Sequence, residues 1–296
     1  MTRLLQALVA GLGNGSVYAL LALGFVIIYK STSVVNFAQP ALMVAGATAV
    51  IYLGQAGLPF PAAVAGAMAL AALLGLTVER TALRPMIGKP VFVIAIITIG
   101  VDIVIRVVVN RLLGTNLRAI ANPWGLESFD VGGVFVQQRY LAMIVTLAVV
   151  VTLLFAFFRY SRIGLALRAT ALDQETALTQ GISVGVTFAL SWAIAGALAA
   201  LAGTFVGTGQ SIDQQTWIIA LKALPAIIIG GLDSVGGAVI GGLVVGVIEA
   251  LVGTYQPTYA PWLGNNFQLV SPYVVLLLVL LVRPYGLFGT PEVERV

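Results

Sequence analysis

The chain has 296 residues, 60% hydrophobic and 9% charged, with a formal net charge of +4 and a mean hydropathy of +1.05. A water-facing surface takes roughly 25% charged residues, so lipid must be the solvent for most of this chain. Cys and His are both absent, which excludes disulfides, thiolate nucleophiles, imidazole bases and Cys/His metal sites, and no cofactor is expected.

Crossing a bilayer takes about 20 helical residues. Apolar runs at about 5–29, 41–54, 60–78, 91–109, 139–158, 186–206, 217–231, 237–256 and 271–283 read as membrane helices. The second, seventh and ninth are short enough to be tilted, re-entrant or partial. The alternating segments of a membrane β-barrel are absent. The expectation is an all-α, polytopic helical membrane protein of about eight to nine transmembrane or re-entrant helices, with no soluble domain. The first run follows Arg3, but it outlasts a signal-peptide core and no small-x-small cleavage site follows, so it reads as a resident helix.

Basic residues sit singly or in threes between these runs, where they set topology, and this argues against nucleic acid as a partner. Placing the loop at 79–90 in the cytoplasm puts Lys30, Arg80, Arg84, Lys89, Arg159, Arg162, Arg168, Arg283 and Arg295 inside. Arg3, Arg111, Arg118 and Arg139 fall outside, and Arg106 and Lys222 lie within apolar runs. The N-terminus is then outside and the C-terminus inside.

In and after the first run, Asn14, Ser16, Tyr18, Asn36 and Gln39 interrupt the apolar pattern. They form a candidate translocation path, neutral and polar, that suits a zwitterion balanced by helix ends. The competing reading is that they satisfy one another or the backbone. Asp102 and Arg106, spaced i,i+4, can pair on one helix.

The stretch FFRYSRIGLALRATALDQETALTQGIS, 157–183, concentrates scarce charge in a cytoplasmic position. From Gly164 to Gln180 it reads as a short helix on the inner membrane surface, with a stripe of Leu165, Ala169, Leu172 and Thr176 and Gly181 at its end. A plain connecting loop is the alternative.

Further on, Lys222 follows Trp217 by five residues and Glu249 precedes Tyr255 by six, with the turn LDSVGG between their spans. Both should lie at one depth in the outer half of the membrane. A charge at mid-membrane costs about 2.5–3.5 kcal/mol, so the two are expected to share an ion pair or polar network. Ala238, Gly242, Gly246 and Ala250 let another helix approach closely, from the same subunit or from a second one. No phosphate loop exists: the nearest match, GFVIIYKS at 24–31, has Tyr29 where a glycine should stand and ends a helix instead of following a strand.

Several segments together resemble one family. NGSVYALLALGFVIIYKSTSVVNFAQPALMVAGA (14–47) is similar to the N-terminal signature of the LivH-type branched-chain amino acid permeases of ABC importers. ERTALRP (79–85) resembles their first cytoplasmic loop, and FRYSRIGLALRA (158–169) their coupling region. LKALPAIIIGGLDSVGGAVIGGLVVGVIEAL (221–251) and RPYGLFGTPEVERV (283–296) resemble the glycine-rich block and the tail. One departure is NFAQP, where the family reads Asn-Phe-Ala/Gly-His-Gly; Pro40 fixes φ, so the chain path near Asn36 is expected to differ.

The resemblance implies an ABC importer permease fold, with 1–296 as a single transmembrane permease domain and a cytoplasmic coupling helix at about 159–183. Arg162, Gly164, Arg168, Ala169, Asp173, Ala177 and Gly181 would carry ATPase coupling. It implies a non-enzymatic subunit of the bacterial plasma (inner) membrane that translocates branched-chain or other neutral amino acids. Its partners would be a second homologous permease subunit, two ATPase subunits that hydrolyse ATP, an extracytoplasmic substrate-binding protein and membrane lipid. The rival readings are a stand-alone channel or secondary transporter, an ABC permease for urea or short amides, and an intramembrane enzyme, the last disfavoured by the lack of histidine.

Overall fold

The computed structural model describes residues 2–86, 88–114, 117–125 and 127–290; Arg295 and the last six residues of the tail motif lie outside them. The helices are α1 (Thr2–Thr32), α2 (Gln39–Gln55), α3 (Phe60–Val78), α4 (Val91–Leu113), α5 (Gln138–Tyr160), α6 (Arg162–Leu172), α7 (Gln174–Thr179), α8 (Val184–Gly209), α9 (Trp217–Leu221), α10 (Ala223–Gly230), α11 (Val235–Tyr259) and α12 (Ser271–Val282). Each of the nine apolar runs coincides with helix, because a bilayer leaves backbone groups no partner but their own helix. Among the described residues, α1, α3 with its extension, α4, α5, α8 and α11 are long and apolar enough to cross a membrane. The 17-residue α2, the α9–α10 stretch and α12 are shorter.

Contacts divide the chain into two compact units that interleave in sequence. The first comprises Met1–Val26, Trp124–Leu147 and Leu221–Val296. Its centre is the pairing of α1 with α11, which meet at glycines. A Cβ on Gly15 would come within 2.8 Å of the Leu243 Cα, and one on Gly242 within 2.5 Å of the Ala19 Cα. The small-residue stripe of α11 is therefore spent on packing within the subunit. An antiparallel hairpin, β1 (Ser128–Val131) with β2 (Val134–Gln137), turns at Gly132 and Gly133, both at positive φ, as a two-residue hairpin turn requires. The chain end returns to this unit as well: Leu287 and Phe288 donate their amides to the carbonyls of Ile229 and Gly230 at 2.8 and 3.1 Å, groups that the end of α10 leaves unpaired.

The second unit comprises Ile27–Pro123 and Ala148–Ala220. Helix α8 is its axis, buried along most of its length and packed on α2 and α3. Its Gly203 and Gly196 face the carbonyls of Met43 and Ala71, a spacing that only small residues permit. The segment after α3 is not the plain loop that its charges suggest. Helix continues as a π turn over Glu79–Leu83 and a 3-10 turn over Arg84–Met86. The reason is one ion pair: Glu79 is 1% exposed, and Arg84 donates Nε to Oε1 and Nη2 to Oε2, both at 3.1 Å.

Candidate functional site

The charged stretch forms two helices instead of the single one expected. The Ser161 hydroxyl accepts from Gly164 N at 2.8 Å and starts α6. Gly164 is buried because α6 turns back onto the end of α5, where a Cβ would fall 2.7 Å from the Phe158 Cα. Asp173 then breaks the helix. Its Oδ1 accepts from the amides of Glu175 and Thr176 at 2.9 and 3.0 Å, and its Oδ2 from the Thr176 hydroxyl at 2.7 Å. These bonds, the Thr176 hydroxyl first, hold the exposed Asp173 carboxyl below the ordinary Asp value. Gly181, at φ +78, closes α7 as its amide and that of Ile182 reach back to Leu178 and Ala177 carbonyls, each at 3.0 Å.

The two faces of this element differ. Gly164, Leu167, Thr170 and Ala177 are buried against the unit, and Ala169 is half-buried. Arg162 and Arg168 are exposed, and so are Leu165 at 58%, Leu178 at 56% and Leu172 at 90%. The element is tied down by Gln174, whose Nε2 donates to the Ser31 carbonyl at 3.1 Å, near the end of α1.

Beside that tie lies a cavity of about 300 Å³. Gln174, Asn36, Glu79, Lys89, Phe188 and Trp192 are among its lining residues. Asn36 and Gln39 are fully buried and bound to each other, Asn36 Nδ2 donating to Gln39 Oε1 at 3.2 Å. Asn36 Oδ1 accepts from Ala38 N at 2.9 Å, and Gln39 Nε2 donates to the Ala195 carbonyl at 3.2 Å. Thr98, not singled out by sequence, accepts from Phe37 N at 3.1 Å. Pro40 sits in the first turn of α2, where its missing donor costs nothing. The bend between α1 and α2 is thus held by side chains. Elsewhere in the unit, Asp102 pairs with Arg106, whose guanidinium lies 4.2 Å from the centroid of the Trp217 ring.

In the first unit, Tyr18, Lys222 and Glu249 form a closed triangle. Lys222 Nζ lies against Glu249 Oε1 and donates to the Tyr18 hydroxyl at 3.3 Å, while that hydroxyl donates to Glu249 Oε2 at 2.7 Å. Lys222 is presented at the break between α9 and α10. Ser16 donates to the Leu12 carbonyl of its own helix at 2.7 Å, and Asn14 is half-buried. Asn14, Ser16 and Tyr18 therefore belong to one compact unit, and Asn36 and Gln39 to the other.

Residues 7–281 match the family described as branched-chain amino acid transport system, permease component. The chain is 32% identical to the high-affinity branched-chain amino acid transport system permease protein LivH of Salmonella typhimurium, over 99% of this chain and 97% of the relative. It is 33% identical to the permease protein BraD of Pseudomonas aeruginosa, over 99% and 98% respectively. Among solved structures it is similar to PsaBC from Streptococcus pneumoniae in complex with Fab, at a TM-score of 0.47 and 16% identity, covering 96% of this chain and 91% of that one.

Proposed function

The chain belongs to the family of branched-chain amino acid transport system permease components and is a polytopic membrane permease; on that premise we propose that it carries branched-chain or other neutral amino acids through the bacterial inner membrane. It works as one transmembrane domain, 1–296, beside a second homologous permease subunit. Of two ATPase subunits, one docks on the α6–α7 element of this chain, and an extracytoplasmic binding protein delivers the substrate. Asn14, Ser16 and Tyr18 in the first unit, and Asn36 and Gln39 in the second, are each offered as polar groups for the translocation path.

The observation that carries this reading is the bare apolar face of α6–α7. Leu165, Leu172 and Leu178 are exposed on an element whose arginines place it in the cytoplasm. Exposed leucines grouped on an element outside the apolar spans mark an interface, and an ATPase groove is the partner that the family resemblance supplies. Residues Gly164 and Ala177 hold the element to the permease, while Arg162, Arg168 and the Asp173 cap flank the leucines. The test is reconstitution with the neighbouring ATPase, second permease and binding-protein genes. ATP-driven uptake of leucine, isoleucine or valine into vesicles is expected. Uptake of an unrelated solute class, or uptake that persists without ATP, would sink the proposal.

A further inference from the structure

We propose that the cavity behind α6–α7 is a binding site for a neutral amino acid with an apolar side chain, entered from the cytoplasmic face. The inference rests on the importer reading and adds a place where the delivered product rebinds and restrains the docking element. Its volume of about 300 Å³ lies at the small end of ligand sites, which run from about 300 to 1,000 Å³.

The lining supplies the three kinds of group that a free amino acid needs. Phe188 and Trp192 from α8, with Ile94 from α4, give an apolar wall. Glu79 gives a carboxylate, oriented by Arg84, which is itself fixed by a further bond to the Gly185 carbonyl at 3.0 Å. A carboxylate that accepts one bond at each oxygen keeps lone pairs for an ammonium. Lys89, on the exposed turn after Gly88, gives a cation at the mouth. An apolar amino acid would place its carboxylate on Lys89 and its side chain on Ile94 and Phe188; Glu79 and Trp192, each 1% exposed, would have to be uncovered by the ligand for its ammonium to reach the carboxylate. An apolar amine or an apolar acid would use one end only.

Occupancy bears on transport through Gln174. Its side chain lines this cavity and bonds the Ser31 carbonyl, so a ligand there packs against the tie that fixes α7. A filled site holds the docking element in one position and slows the ATPase cycle when product accumulates inside.

The experiment uses the whole transporter complex in nanodiscs, without the binding protein, and tritiated leucine. Saturable binding is expected, with 4-methylpentanoate and isopentylamine each competing about tenfold or more weakly, since each lacks one charge-assisted bond. Lys89→Gln should weaken leucine binding about tenfold, and Ile94→Trp, which fills the cavity, should abolish it. In proteoliposomes with the ATPase facing outward, leucine added outside should slow hydrolysis in the wild type and not in Ile94→Trp. No saturable binding, or binding unchanged in both variants, would overturn the site. If the complex imports leucine but lacks this binding, the inference falls and the importer reading stands. If it binds leucine here but imports another solute class, the importer reading falls and the site stands.

Discussion

Gln174 Nε2 donates to the Ser31 carbonyl at 3.1 Å, joining the first residue of α7 to the end of α1 across 143 positions of sequence. The α6–α7 element is thereby fixed to the helix that leads into the Asn36–Gln39 bend. Gln174→Ala removes the bond without touching the exposed leucines. The complex should still assemble and hydrolyse ATP, while leucine carried per ATP falls severalfold in proteoliposomes. Gln174→Glu, which replaces the donor by a carboxylate facing a carbonyl, should be at least as defective. An unchanged transport-to-ATP ratio in both would show that the tie transmits nothing.

The Tyr18–Lys222–Glu249 triangle makes a second prediction. Removing one partner of a buried pair costs about 3–5 kcal/mol, so Lys222→Met and Glu249→Gln should each lower yield and thermal stability in detergent. The double variant leaves no charge behind and should recover part of the loss. Tyr18→Phe, which removes only the bridging hydroxyl, should cost less than either. Losses in the double variant equal to the sum of the singles would deny the coupling.

Gly246 and Gly236 lie on the same helix in opposite circumstances. A Cβ on Gly246 would meet the Gly15 backbone, whereas one on Gly236 finds nothing within 4 Å. Gly246→Ala should therefore push α1 from α11 and destabilise by about 1–3 kcal/mol. Gly236→Ala should be neutral or mildly stabilising, since Ala favours helix by about 0.8–1.0 kcal/mol. Thermal melts of the two purified variants decide the matter.

Asp173 gives a pH dependence with a definite sign. Its folded pKa is depressed by the Thr176 hydroxyl and the first amides of α7. The cap is therefore fully present above the ordinary Asp value of about 3.9 and is lost as pH falls through the lower folded value. Amide exchange at Thr176–Thr179, corrected for intrinsic rates, should show α7 fraying under acid. Asp173→Ala should fray it already at neutral pH, and Asp173→Asn, which still accepts a bond, much less so.

Much of the helical layout is legible in the sequence because hydropathy acts over whole runs, and each run becomes helix. The meeting of Lys222 with Glu249 follows from a short turn joining spans that carry opposite charges at one depth. Three features are less accessible for physical reasons. The helix past Val78 depends on Arg84 wrapping Glu79 in a π turn, whereas isolated charges read as a loop. The break at Asp173 comes from a side chain that competes for backbone amides, with no Gly or Pro to mark it. The bond from Phe37 N to Thr98 spans 61 positions and leaves no local signature. The hairpin between α4 and α5 did have one, the Gly132-Gly133 pair between apolar residues. Leu165 and Leu172 were recognisable as a stripe, but their exposure could be seen only once Gly164 and Leu167 were placed inward.

The chain contains no cysteine, so Leu172→Cys creates a unique thiol at a side chain that is 90% exposed. A benzophenone maleimide attached there and irradiated in the assembled transporter tests directly whether α6–α7 is where the ATPase docks. An adduct between this chain and the ATPase subunit is expected, absent when the probe is moved to Leu277→Cys on the exposed face of α12. A complex that hydrolyses ATP normally yet gives no ATPase adduct from position 172 would contradict that docking.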